Sequence, residues 1–147
     1  MQITTRIISL QDTQALLEFE LENRMWFEQY IPPRLNSFYS LSGVRSHILE
    51  FLAQHQDELL IPMLLWTTDG EICGRLNLTI DEDEPTCGTL GYRVGKKFTR
   101  QGVATQAIKQ MQSYIQQNTE VTTLKAIALN SNQGSSKALL KCGFQVS

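Results

Sequence analysis

Cysteine, excess charge of one sign and long apolar runs are all scarce in this sequence of 147 residues. The three cysteines are an odd number at long spacings, with no C-x-x-C pair and no histidine cluster nearby. This excludes a disulfide scaffold and a cysteine zinc site, and we expect no metal ion. Thirteen basic residues against fifteen acidic ones give a formal net charge of −2, so no basic field covers the surface and nucleic acid is not expected as a partner.

Segments that cross or enter a membrane are not indicated either. The longest apolar run, from Leu59 to Trp66, is too short to span a bilayer and is interrupted by Pro62. The first residues lack the basic stretch and apolar core that mark a secretory leader. We therefore expect a protein of the reducing cytoplasm with no membrane partner.

Two common nucleotide-binding motifs are missing as well. The pattern G-x-x-x-x-G-K-[ST] fails because the glycine before Gly95 is Gly91, one residue too close. The pattern G-x-G-x-x-G fails because no second glycine follows Gly102 in the turn. Thr122 and Thr123 also stand where a dinucleotide fold needs an acidic residue, about 20 positions on. ATP-type and NAD-type sites are therefore not favoured.

What the sequence does contain is the composition of one globular domain, with 41% hydrophobic and 19% charged residues. Its length is also that of one domain, so we interpret residues 1–147 as a single unit. Hydrophobic periodicity and turn residues predict an α+β order, β, α, α, β, β, β, α, β, α, β. The predicted strands are 4–10, 61–68, 72–80, 86–94, 122–129 and one that starts at Phe144; the predicted helices are 13–23, 44–56, 102–117 and 135–142.

The aromatic segment 24–42 is interrupted by Pro32 and Pro33, which predicts a packed irregular loop. Its side chains Trp26, Phe27 and Tyr30 either shape a pocket for an acceptor or fill the core.

The most informative stretch runs from Leu90 to Ala104 and joins a predicted strand to a helix N-terminus. The first N–H groups of a helix have no internal partner and carry partial positive charge, which suits a phosphate. Gly102 allows close approach of the backbone, and four cations lie within eight residues: Arg93, Lys96, Lys97 and Arg100. These features favour an anionic ligand; the alternative is an ordinary strand–turn–helix connection with solvated cations.

Thr99-Arg100-Gln101-Gly102-Val103-Ala104 resembles the acyl-CoA loop of the GNAT superfamily of N-acyltransferases, Gln/Arg-x-x-Gly-x-Gly/Ala, with Thr99 in the first position. Downstream, the run from Asn132 to Phe144 resembles the family's closing motif, Asn-x-x-Ser-x-x-Val-Leu-x-x-x-Gly-Phe. Together with Leu90-Gly91-Tyr92 and Trp26-Phe27, these motifs resemble the subgroup that contains the ribosomal-protein N-terminal acetyltransferases.

The resemblance implies a three-layer α+β fold, in which helices flank a central mixed, mostly antiparallel, twisted sheet. It also implies transfer of acetyl from acetyl-CoA by direct attack of a primary amine, either a protein N-terminal α-amine, as of a ribosomal protein, or a small amine. The catalytic groups it implies are the backbone N–H of Tyr92 and the Ser135 hydroxyl. The cofactor-binding residues it implies are Val94, Thr99, Arg100, Gln101, Gly102, Val103, Ala104 and Asn132.

Some alternatives stay open at this point. Leu139 stands where many family members have a tyrosine, and Thr89 where the subgroup often has a glutamate. A non-catalytic acyl-CoA-binding or interaction module is therefore a second hypothesis. The general base is left among Glu20, Glu22, Glu28 and the acidic loop at 81–84.

The resemblance also makes the C-terminus look short of a final strand. Either the chain ends early or a partner subunit, as in a homodimer, supplies the missing sheet edge.

Overall fold

Strands that follow one another in the chain lie next to one another in a single mixed sheet, in the order β1-β2-β3-β4-β5. The computed structural model describes residues 1–126 and 133–145, with side chains in the second range from residue 137 onward. The strands are β1 (Ile3–Ile7), β2 (Leu60–Thr67), β3 (Ile72–Ile80), β4 (Cys87–Val94) and β5 (Thr123–Ala126). The helices are α1 (Thr13–Glu22), α2 (Arg24–Phe27), α3 (Leu41–Gln56), α4 (Val103–Asn118) and α5 (Gln133–Lys141).

Pairing within the sheet follows from the connections. β1 to β4 pair antiparallel in succession, and β2 turns into β3 through Asp69-Gly70, where Gly70 has a φ of 84°. β4 and β5 pair parallel, because α4 carries the chain back between them. The sheet is therefore mixed and mostly antiparallel, and the predicted fold class is confirmed.

Each face of the sheet packs against its own helices. One core lies between the sheet and α4, and it joins Leu76 and Leu78 of β3 to Ile108 and Met111 of α4. The other lies under α1 and α3, where Leu16 and Ile48 are buried. A fully buried aliphatic side chain contributes about 1.5–3 kcal/mol, so the two cores fix the three layers.

Two predicted segments differ from the structure. The loop 24–42 contains a helical turn at α2, and α3 begins at Leu41 because the Ser40 hydroxyl caps it by accepting from the Gly43 N–H at 3.0 Å. The predicted strand is not present at Phe144 and Gln145. Gly143, with a φ of 91°, ends α5, and the Phe144 N–H donates to the Leu139 carbonyl at 3.1 Å. The predicted residues 127–129 and 146–147 lie outside the described residues.

Candidate active site

The turn before α4 has an unusual backbone. Gly102 is the N-cap of α4 with a φ of 78°, and Arg100, two residues earlier, has a φ of 61°. A Cβ on Gly102 would meet nothing closer than the Gln106 amide nitrogen at 3.9 Å. The left-handed conformation therefore accounts for the glycine, and crowding does not.

Neighbouring side chains hold this turn in place. The Thr99 hydroxyl donates to the Lys96 carbonyl at 2.9 Å, and the Gln101 side chain donates to the Lys97 carbonyl at 3.0 Å. Both bonds are local, so Thr99 and Gln101 shape the loop while Arg100 stays exposed.

Past the turn, the first amides of α4 are unpaired within the helix. The first intrahelical bond is from the Gln106 N–H to the Gly102 carbonyl at 3.1 Å, so the N–H groups of Val103, Ala104 and Thr105 have no acceptor inside the helix. Gly102 contributes no side-chain cap. The Val103 side chain is buried in the core, which anchors this end of α4 beside β4. The arrangement suits an anion.

The four cations of the stretch do not converge, contrary to the sequence interpretation. The Arg93 side chain lies on the opposite face of the sheet, because side chains alternate along β4 and those of Tyr92 and Val94 pack on the α4 side. Lys97 pairs with Glu71 at 2.6 Å and Glu22 at 3.4 Å. The hydrogen bond to Glu71 raises the pKa of Lys97. Lys97 is thus paired with carboxylates of the protein. Arg100 is the exposed cation of this stretch that lies nearest in sequence to the start of α4.

The backbone of β4 presents alternate amides to its two edges. The Gly95 N–H donates to the Cys73 carbonyl at 2.8 Å, which places Tyr92 and Val94 opposite Leu76 and Gly74 in pairs that are not hydrogen-bonded. The N–H groups of Tyr92 and Val94 therefore point to the β5 edge. The described β4–β5 pairing includes Cys87 to Leu90, and the residues that follow Ala126 lie outside the described residues.

Aromatic side chains from the segment after α1 divide between two roles. Phe27 is buried and packs against Phe19 with ring centroids 5.6 Å apart, so it fills the core. The Trp26 ring nitrogen donates to the Val94 carbonyl at 3.3 Å, which brings this segment to the end of β4.

Two predicted site residues cannot be placed. Asn132 lies outside the described residues, and Ser135 lies in α5 without a described side chain. Leu139, farther along α5, is buried in the core on the α4 side. An apolar buried side chain there cannot donate a proton to a leaving group.

None of the three candidate bases on α1 and just after it is unpaired. Glu20 is 1% exposed, and its Oε1 accepts from Arg75 at 2.9 Å and from Arg93 at 3.0 Å. Glu22 contacts Lys97, and Glu28 pairs with Arg24 at 3.2 Å. Glu20 is therefore a buried carboxylate that two arginines hold through one of its oxygens.

His47 extends the same buried network. Its Nε2 lies 2.7 Å from Nη2 of Arg75, and because a guanidinium only donates, Nε2 accepts and the ring proton is assigned to Nδ1. Burial, and then the charge of Arg75, lowers the pKa of His47 to about 3. The histidine is therefore neutral at neutral pH.

Sequence reasoning missed this network. The available signal was Arg75, a lone charge inside a strand that is otherwise mostly apolar.

Other features do not belong to this site. A cavity of about 660 Å³ lies at the far end of α4, near Tyr114 and Asn118, some 22 Å of helix away from Gly102. Within residues 1–126 and 133–145, no three His, Cys, Asp or Glu side chains group as metal ligands. No helix in the same ranges is both long and apolar enough to span a bilayer.

Comparisons with known proteins agree with this geometry. A relative, the probable N-acetyltransferase YjcK of Bacillus subtilis (strain 168), is 26% identical over 144 residues, which cover 97% of this chain and 80% of that protein. The ribosomal-protein-S5-alanine acetyltransferase from Vibrio fischeri superposes with a TM-score of 0.90 at 18% identity, over 99% of this chain and 80% of the other.

A ribosomal L7/L12 alpha-N-protein acetyltransferase, solved in complex with coenzyme A, gives a TM-score of 0.88 at 18% identity, over 100% of this chain and 82% of the other. Residues 2–145 match the family model described as an acetyltransferase (GNAT) domain. The chain therefore belongs to the GNAT acetyltransferase family.

Proposed function

We propose that this protein transfers the acetyl group of acetyl-CoA to a primary amine, most favourably the α-amine of a protein N-terminus, such as that of a ribosomal protein, or otherwise a small amine. One observation carries the proposal. The left-handed turn at Arg100 and Gly102, in the segment that joins β4 to α4, leaves the first amides of α4 without acceptors inside the helix. The coenzyme A complex of the structural neighbour supports the same cofactor here.

Backbone amides hold the cofactor in this proposal. The N–H groups of Gly102, Val103 and Ala104 bind the pyrophosphate at the positive end of the α4 dipole. Arg100 adds a cation, while Thr99 and Gln101 keep the turn in shape. The Val94 backbone of β4 binds the pantetheine arm. The family resemblance assigns Asn132, which lies outside the described residues, to the same arm.

The transfer itself needs few side chains. The neutral amine attacks the thioester carbonyl carbon, and the Tyr92 N–H stabilises the negative charge that develops on the carbonyl oxygen. The C–S bond then breaks, and the Ser135 hydroxyl donates a hydrogen bond to the coenzyme sulfur, directly or through water. The proton that the amine nitrogen releases reaches the thiolate through this hydroxyl and solvent, so Ser135 ends unchanged and the products are an acetamide and free thiol.

Paired carboxylates favour an α-amine as the acceptor. Glu20, Glu22 and Glu28 are each engaged by a cation, so none is free to deprotonate an ammonium group. An α-amine has an unperturbed pKa of about 7.7–8.0, against about 10.4 for lysine, and is far more often neutral near pH 7. Solvent can therefore act as the base for an N-terminus.

The test is release of free thiol from acetyl-CoA in the presence of a panel of peptides and small amines, with mass spectrometry of the products. We expect acetylation at an amino terminus. Ser135→Ala should lower kcat by about tenfold or more while the Kd for CoA stays the same, since its role is proton transfer. Ser136→Ala is the matched control and should leave both unchanged. No turnover on the whole panel would contradict the proposal.

The second candidate is an acyl-CoA-binding module without transfer activity. The buried Leu139 favours it, because the tyrosine that many family members use as an acid is absent. Calorimetry that shows tight CoA binding alongside no acetyl transfer would select this candidate.

A further inference from the structure

A second group of charges lies on the other face of β4, under α1 and α3. Arg75 of β3 and Arg93 of β4 are cross-strand partners, and both reach Oε1 of Glu20. Like charges directly opposite in a sheet are destabilising. One carboxylate neutralises only one of the two guanidinium groups, so the pair keeps an excess positive charge.

Neighbouring groups increase this excess. Arg34 stacks on the Phe38 ring with its Cζ 4.3 Å from the centroid. Phe38 packs against His47 with ring centroids 5.2 Å apart, and His47 contacts Arg75, so Arg34 belongs to the same region. Burial, and to a smaller extent the charge of Arg34, lowers the pKa of Arg75 and Arg93. No carboxylate of the described residues forms an ion pair with Arg34. His47 is neutral and cannot compensate. We call Arg34, Arg75 and Arg93 the arginine cluster.

Orphaned polar atoms lie at the edge of the arginine cluster. Nε of Arg75 and Oδ1 of Asn77 are buried without a hydrogen-bond partner, two residues apart on the same face of β3. Leaving such an atom unpaired costs about 1–3 kcal/mol, and neither is explained by the packing around it. One donor and one acceptor are thus left unpaired on this face of the sheet.

The sheet face is open next to these atoms. Asn77 pairs with Gly91 in register, and a Cβ on Gly91 would meet nothing within 4 Å. Thr79 and Thr89, the next cross-strand pair, are both exposed. The arginine cluster therefore borders a surface that a ligand can reach, and the Arg93 side chain is itself 19% exposed.

The arginine cluster is also close to the proposed reaction centre. Arg93 lies between Tyr92 and Val94, so its Cα is about 3.8 Å from the Cα of each. The N–H groups of those two residues point to the β5 edge of β4, while the Arg93 side chain lies on the face of the sheet opposite α4. An acceptor whose amine meets the thioester therefore has its next few atoms beside Arg93.

We propose that the acceptor carries a carboxylate or phosphate group close to its amine, and that Arg93 and Arg34 bind this anion. The proposal rests on the acetyl transfer argued above and narrows its substrate class. Guanidinium groups bind both anions through paired N–H donors, and Glu20 holds Arg93 in position. The acidic acceptor then balances the charge that the protein leaves uncompensated.

Two pairs of acceptors test the proposal, each differing in one charge. The first is a short peptide with aspartate in its second position and its asparagine counterpart; the second is phosphoethanolamine and ethanolamine. We expect kcat/KM to be at least about tenfold higher for the anionic member of one pair, the range of a charge-assisted hydrogen bond. Which pair shows the difference tells whether the anion belongs to a peptide or to a small molecule. Equal kcat/KM values within both pairs would overturn the proposal.

Variants connect the preference to the arginine cluster. Arg34→Gln should reduce the anionic preference by about fivefold or more and leave the Kd for CoA unchanged. Arg34→Lys keeps the charge but not the paired donors, so it should lose a smaller part of the anionic preference. Arg45→Gln removes the same charge from an exposed position on α3 and serves as the matched control. A preference that survives in Arg34→Gln and Arg93→Gln alike would contradict the assignment to these residues.

The outcome also separates this inference from the proposed function. Turnover of neutral and anionic acceptors at equal rates would support the proposed acetyl transfer and contradict the proposed anion site. If no acceptor is acetylated, calorimetry with the N-acetylated aspartate and asparagine peptides on the CoA-loaded protein still measures the anionic preference. Equal affinities of those two peptides would overturn the inference by that route as well.

Discussion

Arg100 and Gly102 adopt the same left-handed backbone conformation on either side of Gln101, with φ values of 61° and 78°. The turn leads into α4, whose N–H groups at Val103, Ala104 and Thr105 have no acceptor inside the helix, and such a helix end is suited to a phosphate. A non-glycine residue in this conformation costs energy, and we infer that the cost at Arg100 is kept because the turn shapes the proposed phosphate site.

We expect Gly102→Glu to abolish CoA binding, because it places bulk and a negative charge at the N-terminus of α4. Gly70→Glu is the matched control, since Gly70 has a φ of 84° and open space around its Cα but lies in the β2–β3 turn. Both variants should lose about 1 kcal/mol or more of stability from backbone strain, and only the first should lose affinity. Calorimetric titration with CoA measures the affinity of each variant. Equal affinities in the two variants would contradict the assignment of the phosphate site to the N-terminus of α4.

Glu20→Gln should destabilise the fold by about 3–5 kcal/mol, because it leaves Arg75 and Arg93 buried opposite each other without a counter-charge. Glu18→Gln, an exposed position two residues earlier on α1, should cost less than about 0.5 kcal/mol. Urea denaturation followed by circular dichroism gives both values. A loss in Glu20→Gln as small as that of the control would show that this ion pair does not stabilise the core.

Stability should fall as the pH drops below the ordinary pKa of histidine. His47 has a pKa of about 3 in the folded protein, below its usual 6.5, so between these values the unfolded state binds the extra proton. Stability therefore rises with pH across that window, at up to about 1.4 kcal/mol per pH unit from this one group. Screening at the exposed part of the ring makes the measured slope smaller.

A variant isolates this contribution. His47→Gln keeps an acceptor for Arg75 but does not titrate, so its denaturation midpoint should change less between pH 7.5 and 5.5 than that of the wild type. If His47→Gln keeps the wild-type change of the denaturation midpoint with pH, groups other than His47 cause the pH dependence.

Much of the fold could be read from local patterns. The limits predicted for β3 are those observed. The limits predicted for α4 differ from those observed by one residue at each end, because the apolar stripe from Val103 to Ile115 has a clear helical period. The α4 turn was predicted from glycine and from resemblance. Its second left-handed residue, Arg100, carries no local signal, because arginine rarely adopts that conformation.

The polar network could not be predicted in the same way. Glu20 and Arg75 are 55 residues apart, and no local rule pairs them. Arg93 was grouped with the cations of the α4 loop because they are adjacent in sequence. The pleat of β4 sends its side chain to the other face of the sheet, and only the register with β3 shows that Arg75 is its neighbour.

The strand order has a consequence for how the chain folds. Pairing among β2, β3 and β4 needs only short connections, whereas β1 can pair with β2 only after the whole α1–α3 segment has closed into a loop. Loop closure costs entropy before it brings contacts, so the β2–β4 meander should form in the transition state and β1 should dock later. Leu76→Ala should then mainly slow folding in stopped-flow experiments, while Ile3→Val should mainly speed unfolding. The reverse pattern would place β1 in the folding nucleus.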